Sequence, residues 1–236
     1  MTAQAPTTAH CPAYHPPASP VVALTCRPRL ASWDAAGHPS QVALSVFLDQ
    51  AEQDMRDHLR AREPWTLELD VGLPAATRLL HHHDLDNYLY PLAQRLGSRG
   101  IASARARKRH GDRSLARLDT ARPADPPLDR TFHRLQTTAS AGTTAYKQQI
   151  HEQLTASGAL PGSPVSAVIG FRCGPDRNWL NLWKPTIDAL GPLIGEGNRM
   201  WSPRDGAIVD LALHLLVDPA RRWDVEVFVG VAPARE

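Results

Sequence analysis

A chain of 236 residues with 42% hydrophobic content can build one large domain or two small ones, and it is apolar enough to bury a core. Its formal net charge of +2 makes it mildly basic, which permits nucleic-acid binding without demanding it. Three cysteines, Cys11, Cys26 and Cys173, form no CxxC pair and no even disulfide framework, and no apolar run is long enough to span a bilayer, so a reducing, cytoplasmic setting is the default expectation.

Residues 1–40 begin rich in Thr, Ala and Pro without the basic-then-apolar order of a signal peptide, and they read as a disordered or extended lead-in. From Gln41 to Arg62, Leu44, Phe47, Leu48, Ala51, Met55 and Leu59 recur at three- and four-residue steps, which predicts a helix. Pro64 to Val71 alternates, with Trp65, Leu67, Leu69 and Val71 on one face of a predicted strand. A loop with His81, His82 and His83 leads into Asp84, and a short helix runs on to Leu96. Ile101 to Arg109 and Ser114 to Thr120 read as a hairpin around His110-Gly111-Asp112. Three prolines between Arg122 and Pro127 mark a linker, taken as residues 122–143. The order then repeats: a helix over Thr144 to Leu154, a strand over Pro164 to Cys173, a helix opening at Pro185, and strands over Ala207 to Val217 and Trp223 to Val231. Six extra residues between strand and helix in the first half account for the histidine loop.

Two stretches inside these halves match at a single offset of 94 positions: Asn87 with Asn181, Pro91 with Pro185, Leu96 with Leu190 and Gly97 with Gly191. Their charged positions are unequal. The first has Asp84 and Asp86 where the second has Asn178 and Leu180; the second has Lys184 and Asp188 where the first has Tyr90 and Gln94. Repetition of order, residue pairs and offset points to a duplication and an intramolecular pseudo-dimer.

Asp84 and Asp86 flank Leu85, so in extended backbone both carboxylates face one way and can share a hard divalent cation; the plainer alternative is that one of them caps the helix. Asn181, Lys184 and Asp188 fall at three- and four-residue steps and share one face if the helix reaches back to Asn181, where the lysine can hold a phosphate or form only a surface Lys-Asp pair. Asp205, at the mouth of a strand, is a third metal ligand or a turn residue.

The Asp84-Leu85-Asp86-Asn87 run resembles the DLDN motif of the RusA-like Holliday junction resolvases. In that family a lysine follows three residues after the Asn and an Asp four residues further in an Asp-Ala-Leu; here that continuation is Asn181, Lys184 and Asp188-Ala189-Leu190 of the second half. A further family acid precedes the next strand, where Asp205 stands. Ala145-Tyr146 and Pro164-Val165 are also similar, and the resemblance runs from about Gln41, taken as two copies. No single half holds the full set. The resemblance implies an α+β fold of two tandem helix-strand-helix-strand-strand units, residues 41–121 and 144–236, and a Mg-dependent endonuclease acting on branched or duplex DNA. Asp84, Asp86, Lys184, Asp188 and Asp205 are the implied catalytic set, with Asp84, Asp86 and Asp205 as Mg ligands.

Arg105, Arg107 and Arg109 alternate on one predicted strand face, and with Lys108, His83 and nearby Arg99, Arg113 and Arg117 they form a candidate phosphate-tracking row; a solvated edge strand is the alternative. Trp179, Trp183 and Trp201 read as packing residues rather than a base-stacking platform. Two rival functions stay open: a DNA- or protein-binding module that kept the fold without a complete site, and a small polar ligand pocket around Asn87 and Asn181. Whether two chains associate further also stays open.

Overall fold

The structure, a computed structural model, describes residues 10–31, 34–35, 37–58, 63–97, 100–158, 160 and 164–234. In chain order its elements are β1 (Val22–Ala23), α1 (Pro39–Asp54), β2 (Trp65–Leu73), α2 (Leu85–Gly97), β3 (Ile101–His110), β4 (Leu115–Thr120), β5 (Phe132–Thr137), α3 (Thr144–Leu154), β6 (Val165–Cys173), α4 (Leu180–Asp188), α5 (Gly191–Ile194), β7 (Glu196–Arg199), β8 (Ser202–Pro203), β9 (Ile208–Val217) and β10 (Val225–Pro233). The fold is α+β. One mixed sheet has the order β1-β4-β2-β3-β9-β6-β10-β5, and β7 and β8 form a separate small hairpin.

Strand pairing is matched on the two sides of this sheet. β2 runs parallel to β3 and antiparallel to β4; β6 runs parallel to β9 and antiparallel to β10. Both parallel pairs slip register at their start, between Trp65 and Thr66 and between Val165 and Ser166. The two triplets meet where β3 pairs antiparallel with β9, Arg105 opposite Ala212 at the middle of the ladder.

Period-2 alternation decides what each face carries. Leu67, Leu69, Val71, Ala104, Ala106, Ile169, Phe171, Leu211 and Leu213 are buried in one core with Leu89, Leu92 and Trp183 of the helices. The small alanines of β3 let α2 lie close over the sheet centre. The opposite face carries Arg105, Arg107, Asp70 and His214. It is partly covered by two extended segments, since His15 N donates to Arg122 O and Ala124 N to Ala13 O, and Tyr14 Oη reaches Leu215 O at 2.9 Å. The lead-in is thus extended and packed over residues 10–31; residues 1–9, and Leu59 and Arg62 of the predicted first helix, lie outside the described residues. Residues 122–143, expected as a linker, also supply β5, which hydrogen-bonds to β10 at the sheet edge.

Three local expectations are corrected. First, β3 and β4 do not form a hairpin, because β2 lies between them. The connection crosses the end of β2: Gly111 N donates to Leu73 O, and a methyl group on Gly72 would overlap the carbonyl oxygen of Arg113. The second half repeats the device, with Asp218 N donating to Cys173 O and a methyl on Gly174 overlapping the carbonyl of Arg221. Second, the helix expected to open at Pro185 opens at Leu180, and Pro185 lies inside it, as Pro91 does in α2. Proline cannot donate to the carbonyl four residues back. In α2 that carbonyl, Asn87 O, is instead satisfied by Ala31 N at 2.7 Å, so the helix continues past the proline. Third, the first helix begins at Pro39 and closes at Asp54: Pro39 suits a first turn, and the Asp54 carboxylate accepts from Thr25 N and Oγ1 at 2.9 and 3.0 Å.

The crossing glycines generate a stability prediction. Gly72→Ala and Gly174→Ala each force a strand end and a crossing backbone apart and lower the unfolding free energy by about 2 kcal/mol or more. Gly158→Ala, where nothing lies within 4 Å of the added carbon, leaves it nearly unchanged. Urea unfolding of the three variants checks this.

Candidate active site

The start of α2 fixes the first pair of acids. Asp84 precedes the helix and Asp86 lies in its first turn, where the helix dipole favours negative charge. Among the described residues the Asp84 side chain accepts not from a backbone N–H but from the Asn87 side chain, its Oδ2 at 3.2 Å. In α4 the corresponding Asn178 does serve the backbone, accepting from Leu180 N at 3.2 Å. α2 and α4 pack side by side, with Tyr90 and Trp183 edge to face at 6.4 Å and Tyr90 Oη donating to Asn181 Oδ1 at 3.2 Å. Lys184 on α4 is thereby carried to the mouth of α2.

Four carboxylates surround the Lys184 ammonium. Its Nζ lies 2.9 Å from Asp205 Oδ2, 3.1 Å from Asp188 Oδ1, 3.9 Å from Asp86 Oδ2 and 4.0 Å from Asp84 Oδ2. Asp84 and Asp86 come from the first half; Lys184, Asp188 and Asp205 come from the second. Asp188 also accepts from Lys147 Nζ of α3 at 2.7 Å. Asp205 opens a 3-10 turn, Asp205–Ala207, and its second oxygen accepts from Gly206 N at 3.0 Å, so it is at once a turn residue and a member of the cluster.

A second cation stands beneath. Lys108 of β3 is only 4% exposed, and its Nζ donates at 2.7 Å both to His83 O, before Asp84, and to Gly206 O, after Asp205. One ammonium therefore ties the loop carrying the first pair of acids to the turn carrying the last. Burial pulls its pKa down to about 8, against the pull of Asp84, Asp205 and Asp86 in the other direction.

Burial, with neighbouring acids adding to it, shifts Asp84 and Asp86 upward. Burial raises the Asp86 carboxyl to about 7, with Lys184 opposing and Asp84, Asp205 and Asp188 adding to the rise. Asp84 is raised by burial and then by Asp205. Burial acts to lower the Lys184 pKa, but Asp86, Asp205 and Asp188 more than reverse it and hold the ammonium firmly protonated. The site thus pairs clustered hard oxygen donors with a fixed positive charge. Such donors suit Mg²⁺. Among the described residues, however, no three His, Cys, Asp or Glu side chains converge on one metal-sized point; they are arranged around the Lys184 ammonium instead.

No protein-family model matches this chain, and no curated protein or solved structure matches it.

All five residues of the expected catalytic set meet in this cluster, and Asn87 and Asn181 line one cavity beside it. The expected nucleic-acid row does not join them. Arg105, Arg107 and Arg109 point to the opposite face of the sheet, where Arg107 Nη2 and Arg109 Nε lie 2.9 and 3.0 Å from the buried Asp70 carboxylate. Arg105 Nη1 is directed at Tyr14 O. Lys108 belongs to the other face and is a buried clamp. His83 braces Tyr88, its Nδ1 2.7 Å from Tyr88 Oη and the rings stacked. Arg99 lies outside the described residues. Lys147 was missed by sequence reasoning and carried no spacing signal. Lys108 did carry one: it shares the alternation of Ala104 and Ala106, an interior face.

The Asp86 shift has a definite sign. Its folded pKa of about 7 lies above the ordinary 3.8, so between these values the folded chain holds a proton that the unfolded chain has lost. Stability from this group is present at the acid end of that window and is lost as pH rises through about 7. In metal-free buffer the unfolding free energy is therefore larger at pH 5 than at pH 8, and Asp86→Asn removes most of the difference; denaturant titrations at the two pH values measure it.

Proposed function

We propose that this chain is a tandem duplication of a RusA-like unit folded as an intramolecular pseudo-dimer, and that it is a Mg-dependent endonuclease acting on branched DNA. The duplication is supported by the matched pairing senses, the matched register slips and the matched glycine crossings of the two strand triplets. The observation that carries the activity is the convergence on Lys184 of acids from both halves, all within 4.0 Å of its ammonium. The resemblance assigns these residue types to one motif, this chain divides them between two copies, and the fold reunites them.

In this reading Asp84, Asp86 and Asp205 would hold Mg²⁺, which when bound supplies charge neutralisation and water activation for phosphodiester hydrolysis. The protein's own groups do the rest. Lys184 would offer its ammonium to the phosphate oxygens, with Asp84, Asp86 and Asp205 as the residues that would hold the metal. Asp188, held by Lys147, keeps the Lys184 side chain aimed into the cleft. Lys108 fixes the spacing of the two acid-bearing loops without touching substrate. An adjoining cavity of about 850 Å³, lined by His81, His82, Arg204 and Trp201 as well as by the cluster, gives the phosphate backbone room to approach.

A second reading, a DNA-binding module without catalysis, is favoured by one observation: the Lys184 ammonium already satisfies the carboxylates that a metal would use. The two readings separate experimentally. A four-way junction is cut in Mg²⁺ by the native chain, Asp86→Asn abolishes cutting, and Lys184→Met lowers the rate about a hundredfold or more while the variant stays folded. Salt-sensitive junction binding with no cutting across a screen of divalent metals and substrates would defeat the nuclease reading and leave the binding module.

A further inference from the structure

Lys184 lines two cavities. One holds Asp84, Asp188 and Asp205; the other, about 480 Å³, is bounded by Asp86, Asn87, Tyr90, Asn181, Trp183 and Trp223. Under the 94-residue offset the second cavity takes both members of three pairs, Asp86 with Leu180, Asn87 with Asn181 and Tyr90 with Lys184, so it sits where the two copies meet. Where a pair carries charge it does so on one side only, and the partner position is apolar or aromatic; the Asn pair is amide on both sides. A volume of this order is that of a small-molecule site, and its walls are mostly apolar with a few placed polar groups, as such sites are.

The polar groups are specific. Asn87 spends its amide N–H on the Asp84 carboxylate, which leaves its carbonyl oxygen without a hydrogen bond among the described residues. Asn181 accepts from Tyr90 Oη and leaves its NH₂ likewise unused. An acceptor and a donor thus stand together in one cavity, which is what the edge of a nucleobase requires. At the rim, Trp223 is 69% exposed, an indole open to solvent where a ring could stack. Lys184 joins this cavity to the acids, so a base seated here has its own phosphate at the ammonium.

We propose that this cavity receives one unpaired nucleobase of a DNA strand whose adjoining phosphate lies at Lys184. The proposal rests on the DNA-directed reading above and names its substrate class: a strand with an unstacked base beside the reacting phosphate, as at the exchange point of a junction. A base stacked within a duplex cannot reach such a cavity.

The test titrates the full chain, in EDTA, with a short single-stranded oligodeoxynucleotide, a blunt duplex of the same length and an abasic version of the single strand, reading intrinsic tryptophan fluorescence and affinity. The single strand quenches the fluorescence and binds about tenfold or more tighter than the abasic strand; Trp223→Ala, at an exposed position, removes the quench and most of that difference, and Asn181→Ala weakens binding of the normal strand alone. Equal binding of normal and abasic strands, or unchanged affinity in Trp223→Ala, overturns the base pocket. Junction cutting in Mg²⁺ is scored separately on the same preparations. Cutting without base dependence defeats the pocket alone, base-dependent binding without cutting defeats the nuclease alone, and no binding of any of the three strands defeats the pocket together with the DNA-directed reading beneath it.

Discussion

The antiparallel ladder between β3 and β9, Ser103 to Arg107 against His214 to Asp210, is the constraint on which the remaining geometry depends. Because Arg105 lies opposite Ala212 at its centre, the two strand triplets are set head to tail, and the helices that connect β2 to β3 and β6 to β9 must lie side by side on one face. Right-handed crossover connections leave them no other face to occupy. The first turn of α2 then meets the middle of α4. The carboxylates of Asp84 and Asp86 are brought to Lys184 by the sheet, not by any local sequence signal. A slip of one residue in the ladder would send Ala104, Ala106 and Lys108 to the outer face and dissolve both core and cluster together.

Electrostatics explains why such a cluster can persist in a folded chain. Four carboxylates within 4.0 Å of one ammonium leave excess negative charge, and burial together with the neighbouring acids raises Asp84 and Asp86. Left alone this arrangement would be repulsive. Three lysines offset it in different ways: Lys184 at the centre, Lys147 from α3 on Asp188, and Lys108 from below through carbonyls. The Lys108 contacts differ in kind from the others, because an ammonium that donates to two carbonyls keeps its charge unneutralised. That charge acts on the acids at longer range, while its hydrogen bonds hold the two loops in register. Burial, with the residual negative field of the neighbouring acids added to it, keeps the proton on Asp86 to a higher pH than an isolated carboxyl would.

Much of the architecture was legible in the sequence, for a physical reason. Elements with strong periodicity, such as Trp65 to Val71 and Thr144 to Leu154, declare themselves because burial on one face dictates the pattern, and the 94-residue offset declares their order. What stayed hidden depended on neighbours in space. That β2 divides β3 from β4, and β6 divides β9 from β10, goes with chain crossings over Gly72 and Gly174, and nothing in the local sequence of Ile101 to Thr120 distinguishes a hairpin from strands two places apart. Pro185 reads as a helix start because a proline normally breaks an interior turn; that Pro91 sits inside α2 becomes intelligible only when Ala31 is seen to take the carbonyl that the proline cannot. Among the site residues, the acids and Lys184 could be named from motif and spacing, while their convergence could not. Arg105, Arg107 and Arg109 stand with Lys108 in one sequence run, although alternation sends Arg107 and Arg109 to Asp70 and Arg105 to Tyr14 O on one face and the lysine to the acid-bearing loops on the other.

The unequal charges of the two halves also acquire a physical meaning. Two copies related by a dyad would give two equivalent acidic clusters a short distance apart, since α2 and α4 touch. Packing eight buried or half-buried carboxylates into one small region would multiply the desolvation and repulsion already visible at Asp86. Discharging one cluster relieves that cost. The replacements are not uniformly apolar: Tyr90 and Asn181 form a hydrogen-bonded pair, and Asn178 accepts from Leu180 N just before α4, where simple core filling would need neither. With Asn178, Leu180 and Tyr90 at the positions of Asp84, Asp86 and Lys184, the chain gathers its charge into one cluster, and Lys184 faces acids on one side and amide and aromatic groups on the other.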